Sequence, residues 1–183
     1  MTIRTSAVTS VWDPWVRVFL WTLALSFVLV WFSAQGWKGP HDAAGYVAGA
    51  LVLFRLVWGF VGGRFARFSQ FARAPGLVLR YLKTIASETE VRFFGHNPAG
   101  GAMIVVLLLT MAATVVTGWL LTTDAFWGVT SALRAHSIVA HGVLVLVFLH
   151  LAGVVLASVR HRENLVRAMI FGDKPTPRAD DVS

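Results

Sequence analysis

Four long apolar segments constrain this chain more than any other feature of its sequence. Each is long enough to form the helix of about 20 residues that crosses the hydrocarbon core of a bilayer. The predicted spans cover residues 16–35, 42–62, 101–121 and 137–159. A segment surrounded by lipid must satisfy its own backbone N–H and C=O groups, so an isolated span is a helix. The sequence therefore predicts an all-α integral membrane protein, a four-helix bundle.

Composition agrees with a membrane protein and excludes several soluble classes. Of the 183 residues, 56% are hydrophobic and 14% are charged, too few polar residues to surround a small soluble core. Because the chain has no cysteine, disulfides, cysteine-ligated iron–sulfur clusters and covalent haem attachment are excluded, and histidine is the best remaining nitrogen ligand. The net charge of +7 does not indicate nucleic-acid binding, since the basic residues flank the apolar runs.

The basic residues are divided unequally between the two sides of the predicted bundle. The N-terminal segment, the loop between spans 2 and 3 and the C-terminal segment hold 13 of the 16 Lys and Arg residues, whereas the other two loops hold only Lys38 and Arg134. The positive-inside rule places both termini in the cytoplasm of a multi-pass protein of the bacterial inner membrane. A signal peptide is the alternative for the first span, but its apolar core is too long and residues 32–34 form a poor cleavage site.

The loop between spans 2 and 3 contains a basic amphipathic segment. After Pro75, apolar and basic residues recur at helical spacing, namely Leu77, Leu82 and Ile85 with Arg80 and Lys83. This pattern favours an interfacial helix on the cytoplasmic membrane surface, with a solvated loop as the alternative. Residues 1–173 are assigned to a single transmembrane domain, and residues 174–183, rich in Pro and Asp, to a disordered cytoplasmic tail.

Three histidines are spaced as ligands of a membrane cofactor would be. His136 and His150 lie 14 residues apart, which places them on nearly one helix face and about 21 Å apart along its axis. His41 opens the second span at the depth where His136 enters the membrane. Imidazoles at one depth on two facing helices can bind a haem iron from both axial sides. Since a histidine within a span is costly, three at matched depths favour ligands over structural hydrogen bonding.

Three residues on the second span are further candidates for the cofactor site. Gly45 and Gly49 follow His41 by four and eight residues, and they leave room either for a flat macrocycle or for a closely packed helix. Arg55 lies 14 residues after His41, at about the depth of His150. A buried guanidinium needs an acceptor, which a haem propionate, a quinone oxygen or backbone carbonyls would provide unless the side chain snorkels to the cytoplasm.

The remaining histidines give weaker signals. His141 lies about 140° around the helix from His136, which predicts a contact with another helix. His96 belongs to the turn before the third span, where capping is the simplest role. His161 lies among charged residues at the cytoplasmic boundary, where it could touch a lipid or quinone headgroup or remain solvated.

Several segments together resemble the bacterial cytochrome b561 family, which is similar to the b-type cytochrome subunits of nickel hydrogenases. The resemblance extends from Trp12 to Gly172. It rests on residues 11–13 (VWD), 19–21 (FLW), 41–46 (HDAAGY), 54–60 (FRLVWGF), 95–101 (GHNPAGG), 149–153 (LHLAG) and 161–167 (HRENLVR), with His136. It implies two b haems stacked across the bundle and electron exchange with quinone. By the same resemblance, His41 and His136 are the ligands of the periplasmic-side haem, and His150 is one ligand of the cytoplasmic-side haem.

The first span departs from this family at Leu20. The family has Phe-His-Trp where this chain has Phe19-Leu20-Trp21, so the second ligand of the cytoplasmic-side haem is missing. The second haem is therefore absent, five-coordinate through His150 with an open position, or re-ligated by another group such as His96 or water. The retention of His150 and Arg55 favours an occupied site, because both are costly in a span without a purpose.

The expected function is electron transfer by a membrane b-type cytochrome with one or two haem b groups. Quinone is the expected partner at one end. A periplasmic c-type cytochrome, a hydrogenase or superoxide is the expected partner at the other end, and a quinone-linked oxidoreductase activity such as superoxide oxidation is compatible with this assignment. Membrane lipid surrounds the protein, and the sequence is also compatible with a homodimer. The alternatives are a redox-inactive membrane anchor or assembly subunit and a small polar-solute transporter, the latter disfavoured because no repeat or broken helix is visible.

Overall fold

The computed structural model describes residues 8–10, 13–63, 66–93 and 95–175. In chain order its elements are β1 (Val8–Ser10), α1 (Pro14–Ser33), α2 (Lys38–Val61), α3 (Phe68–Phe71), α4 (Pro75–Ala86), α5 (Pro98–Leu120), α6 (Thr130–Arg160), α7 (Leu165–Phe171) and β2 (Asp173–Pro175). Helices α1, α2, α5 and α6 are long and apolar enough to cross a membrane. The prediction of a helical membrane bundle with four spans is confirmed.

Local capping fixes where two of the spans begin. The Asp13 side chain accepts a 2.8 Å hydrogen bond from the N–H of Trp15, and Pro14 occupies the first turn of α1. Asn97 caps α5 in the same way. Its side chain accepts a 2.7 Å hydrogen bond from the N–H of Gly100, and Pro98 occupies the first turn of the helix. Both caps satisfy N–H groups that have no partner within the helix. The predicted span at 137–159 is longer in the structure, since α6 already begins at Thr130.

The spans pack in chain order, α1 along α2, α2 against α5, and α5 along α6. The connections of residues 34–37 and 121–129 lie at one end of the bundle, here named the short-loop end. The described residues of segments 62–97 and 161–175 lie at the opposite end, here named the terminal end. Small buried side chains, Ala44 and Ala48, let α2 approach its neighbours closely.

The middle of the bundle is filled by a small apolar core. Val52, Leu108, Met111 and Val143 form it, and partly buried residues that include Leu23 and Phe27 of α1 pack around it. Val143 is completely buried and is the single buried residue of α6. Large apolar side chains elsewhere on the spans point outward, as expected for helices whose outer faces contact lipid.

Ion pairs tie the loop before α5 to the end of α6 at the terminal end. Arg160 donates hydrogen bonds of 2.8 Å to Glu90 and to the carbonyl oxygen of Ile85. Arg92 pairs with Glu163, and both of these side chains are 6% exposed. The loop is therefore fixed to α6 through charges that are largely removed from water.

The two chain ends meet in a short antiparallel pairing. Val8 pairs with Pro175 and Ser10 with Asp173. Lys174 and Pro175, which the sequence assigned to the tail, thus belong to β2, and the rest of the predicted tail, residues 176–183, lies outside the described residues.

Candidate functional site

The side chains of His41 and His136 meet at the short-loop end. His41 lies in the first turn of α2 and His136 in the second turn of α6. Their ring centroids are 6.4 Å apart, and the ring planes are nearly perpendicular, at 85°. Two helices far apart in the chain therefore present one imidazole each at the same level of the bundle.

The hydrogen bonds of both rings indicate which nitrogen carries the proton. His41 Nδ1 lies 3.0 Å from the carbonyl oxygen of Val30, which can only accept, so Nδ1 is the protonated nitrogen. His136 Nδ1 lies 3.1 Å from the hydroxyl oxygen of Thr117, whose own proton is directed to the carbonyl oxygens of Ala113 and Thr114 at 2.8 and 3.0 Å. In both histidines Nε2 therefore keeps its lone pair, which is the arrangement that a metal-binding imidazole needs.

The separation of the rings fits a shared iron. Metal–imidazole bonds of about 2.0 Å, with about 1.1 Å from each nitrogen to the centre of its ring, require centroids roughly 6 Å apart. The observed 6.4 Å agrees with that requirement. The donor set, two imidazoles on opposite sides of one iron, is the one that low-spin b haems use.

The two glycines after His41 have different surroundings. A Cβ atom on Gly49 would lie 2.9 Å from Cγ1 of Val115, so the absence of a side chain there serves the close packing of α2 on α5. A Cβ atom on Gly45 would meet nothing within 4 Å, although the residue is half-buried. Gly45 therefore borders open space one turn below His41, where a flat macrocycle needs room.

Arg55 is buried at the terminal end, 4% exposed. Its Nη2 donates a 3.0 Å hydrogen bond to the carbonyl oxygen of Ala66, and its guanidinium lies over the rings of Phe68 and Phe71 at 5.0 and 5.6 Å. The backbone-carbonyl partner foreseen from the sequence is thus present. Nη1 is buried with no hydrogen-bond partner among the described residues, so its two N–H donors remain for an anionic or carbonyl group.

His150 and Leu20 lie at matching depths along the bundle. The rings of Trp31 and His141 are in edge contact at 5.3 Å, which sets the register of α1 against α6. Leu20 is 11 residues from Trp31 and His150 is 9 residues from His141, so both lie toward the terminal end with depths that differ by only about 3 Å. A histidine at position 20 would thus lie at the level of His150, and leucine leaves α1 without an imidazole at that level.

The Trp31 contact also bears out the predicted role of His141 as a helix contact. The structure does not support His96 as a cap, because Asn97 caps α5 and the His96 ring instead lies 5.0 Å from the ring of Phe71. Sequence reasoning missed Val30 and Thr117 as partners of the two histidines. The threonines at positions 110, 114 and 117, at helical spacing on α5, were the available signal.

Comparison with known proteins places this architecture in one family. The chain is 25% identical over 160 residues to the probable Ni/Fe-hydrogenase B-type cytochrome subunit of Bradyrhizobium diazoefficiens, a match that covers 73% of this chain and 64% of the relative. It thus spans a little under two thirds of that protein. No solved structure matches the chain. The family model of prokaryotic cytochrome b561 matches residues 11–172, so the chain belongs to that family of membrane b-type cytochromes, which carry electrons on haem b.

Proposed function

We propose that His41 and His136 are the axial ligands of a low-spin haem b at the short-loop end, and that this haem carries electrons between membrane quinone and a redox partner. One observation carries the proposal, namely the 6.4 Å separation of two imidazoles whose Nδ1–H groups are both held by other acceptors. Bound haem b supplies a one-electron couple. The other properties of the site depend on how the chain holds and encloses this haem.

The chain positions both ligands through rigid elements. The Val30 carbonyl belongs to the last turn of α1, where it also accepts the N–H of Ala34 at 3.1 Å, and Thr117 lies near the end of α5. Each ligand is thus oriented by a helix other than its own. Such outer hydrogen bonds fix the ring and raise its basicity, which stabilises the oxidised metal. Gly45 leaves space beside the ligand pair.

We also propose a second haem site at the terminal end, with His150 as its single protein ligand. The buried Nη1 of Arg55, which has no hydrogen-bond partner in the described part of the chain, supports this assignment, because a haem propionate is an acceptor of the required charge. Leu20 leaves the sixth position open, so this haem is expected to be high-spin. His136 and His150 are 14 residues apart, which separates the two sites by about 21 Å along α6, and haems held at both sites would supply a relay across the bilayer.

The orientation and partners follow from charge and from the relative. From the basic residues concentrated at the terminal end, we infer that this end and both termini lie in the cytoplasm of a bacterial inner membrane and that the short-loop end faces the periplasm. Quinone is the membrane-soluble partner. The name of the Bradyrhizobium relative favours a hydrogenase as the second partner, with a periplasmic c-type cytochrome or superoxide as the other candidates.

The test is a reduced-minus-oxidised optical spectrum of the purified full chain, with the haem-to-protein ratio from the same sample. We expect a bis-imidazole low-spin signal that disappears in H41A and in H136A. H141A, a histidine of the same span, is the matched control and should keep the signal. A full low-spin signal in H41A would refute the ligand assignment, and a haem-free protein would indicate a redox-inactive anchor. A ratio of one haem per chain would refute the second site alone.

A further inference from the structure

Helix α4 has three faces of different chemistry, and only one of them packs against other described residues of the protein. Tyr81 is 7% exposed and its ring meets that of Phe93 in an edge contact at 5.5 Å. Leu79 and Leu82, in contrast, are 62% and 46% exposed. This leucine pair lies about 60° apart around the helix and forms an apolar edge that no other element covers among the described residues.

The third face of α4 is basic and lies next to the leucine edge. Arg80 and Lys83 are exposed, and each follows one of the leucines directly, which places it about 100° further around the helix. Residues 75–86 contain no acidic side chain, and neither basic residue forms an ion pair within the described ranges. Two positive charges thus border an exposed apolar edge without being neutralised by the protein.

The location of α4 restricts what this surface can meet. The segment 62–97 joins two membrane spans, so α4 lies where α2 leaves the bilayer and α5 enters it. Its contacts with α5 keep it beside the bundle. At this level the surroundings are acyl chains on one side and lipid headgroups on the other.

We propose that α4 binds an anionic phospholipid, with Leu79 and Leu82 among its acyl chains and with Arg80 and Lys83 at its headgroup phosphate. The leucine edge lies next to the basic face around the helix, as the acyl chains of a phospholipid lie next to its phosphate headgroup. Basic residues beside a membrane attract anionic headgroups, and apolar burial adds to this attraction. The site does not depend on haem binding, so the failure of either proposal leaves the other standing.

The test measures binding of short-chain phosphatidylglycerol and phosphatidylcholine to the full haem-loaded chain in neutral detergent, by native mass spectrometry. We expect phosphatidylglycerol to bind more tightly and the R80Q/K83Q variant to lose roughly five- to thirtyfold in affinity for it. R134Q is the matched control, because Arg134 is exposed at the short-loop end, and it should bind as the unchanged protein does. The charge-conserving R80K/K83R variant should also bind normally.

Two further arms separate a lipid from a free anion. L79S/L82S should weaken phosphatidylglycerol binding, and inorganic phosphate at millimolar concentration should not compete. Equal affinity for the two lipids, an unchanged affinity in R80Q/K83Q, or full competition by inorganic phosphate would overturn the proposal. If R80Q/K83Q does not fold, phosphatidylglycerol binding to the unchanged protein must still fall as salt rises, and salt-independent binding would refute it.

Discussion

The hydroxyl oxygen of Thr117 lies 3.1 Å from Nδ1 of His136 and joins α5 to the proposed ligand on α6. Because that hydroxyl directs its own proton to backbone carbonyls of α5, it acts as an acceptor for the histidine. The imidazole thereby gains electron density and is held in one orientation. This pair makes the electronic state of the proposed haem dependent on a residue that does not touch it.

Replacing Thr117 with valine should raise the reduction potential of the short-loop haem and weaken haem binding about 10- to 100-fold. Valine preserves the shape of the side chain but removes the acceptor, so the imidazole becomes a poorer donor to the oxidised iron. A spectroelectrochemical titration measures the potential. T110V is the control, because the Thr110 hydroxyl donates to the carbonyl oxygen of Val106 on its own helix and to no histidine among the described residues. An unchanged potential in T117V would show that the hydrogen bond has no influence on the haem.

The sequence predicted the spans and the level of His41 and His136 because both follow from periodicity. Hydrophobic length sets the helices, and a rise of about 1.5 Å per residue sets the depth of each side chain. It did not predict that Val30 and Thr117 would hold the rings, since such contacts depend on the register between neighbouring helices. That register is fixed by side-chain packing, such as Trp31 against His141.

The two glycines show the same limit. Gly45 and Gly49 are equivalent in the sequence, each a small residue on the stripe of His41, and both interpretations were open for both. The structure separates them, since Gly49 packs against Val115 whereas Gly45 faces open space. Only three-dimensional packing distinguishes a glycine needed by a neighbouring helix from one beside a cavity.

Filling the space beside Gly45 should remove the low-spin haem. We expect G45L to fold, because leucine favours helix over glycine, but to lose most of its bis-imidazole absorption since the added side chain occupies the proposed macrocycle space. G153L is the matched control, because Gly153 is also free of neighbours within 4 Å but is exposed on α6. Equal haem content in the two variants would argue against the position assigned to the macrocycle.

The loop before α5 should loosen as the pH falls. Burial of the Glu90 carboxyl opposes its ionisation, but the hydrogen bond and charge of Arg160 outweigh this, and the pKa of Glu90 is lowered from 4.5. A carboxyl whose folded pKa is depressed stabilises the fold above its unfolded pKa, and this contribution is lost as the pH falls below about 4.5 through the folded value.

Hydrogen–deuterium exchange of residues 85–93, corrected for intrinsic rates, checks this expectation between pH 6 and pH 3. In the unchanged protein, protection should decline below about pH 4.5. E90Q should be roughly tenfold less protected at pH 6 and should respond less to acid, because the charged hydrogen bond is gone. E88Q is the control, since Glu88 also pairs with Arg160, at 3.4 Å, but its side chain is 80% exposed, so the loss of that pair should change protection little. The same acid response in E90Q would assign the effect to another group.

Restoring a histidine at position 20 should complete the terminal-end haem site. Leu20 lies on the stripe of α1 that includes Phe27 and Trp31, within about 20° of each, and Phe27 packs against the core of the bundle. The side chain at position 20 therefore faces inward at nearly the depth of His150.

We expect L20H to convert a high-spin haem to a low-spin one, measured by electron paramagnetic resonance of the oxidised protein. V18H is the matched control, because Val18 lies on the opposite side of α1 and is 59% exposed, so its histidine should leave the spectrum unchanged. If L20H adds neither a haem nor a second low-spin signal, the open position at His150 is not explained by Leu20, and the second site fails with it.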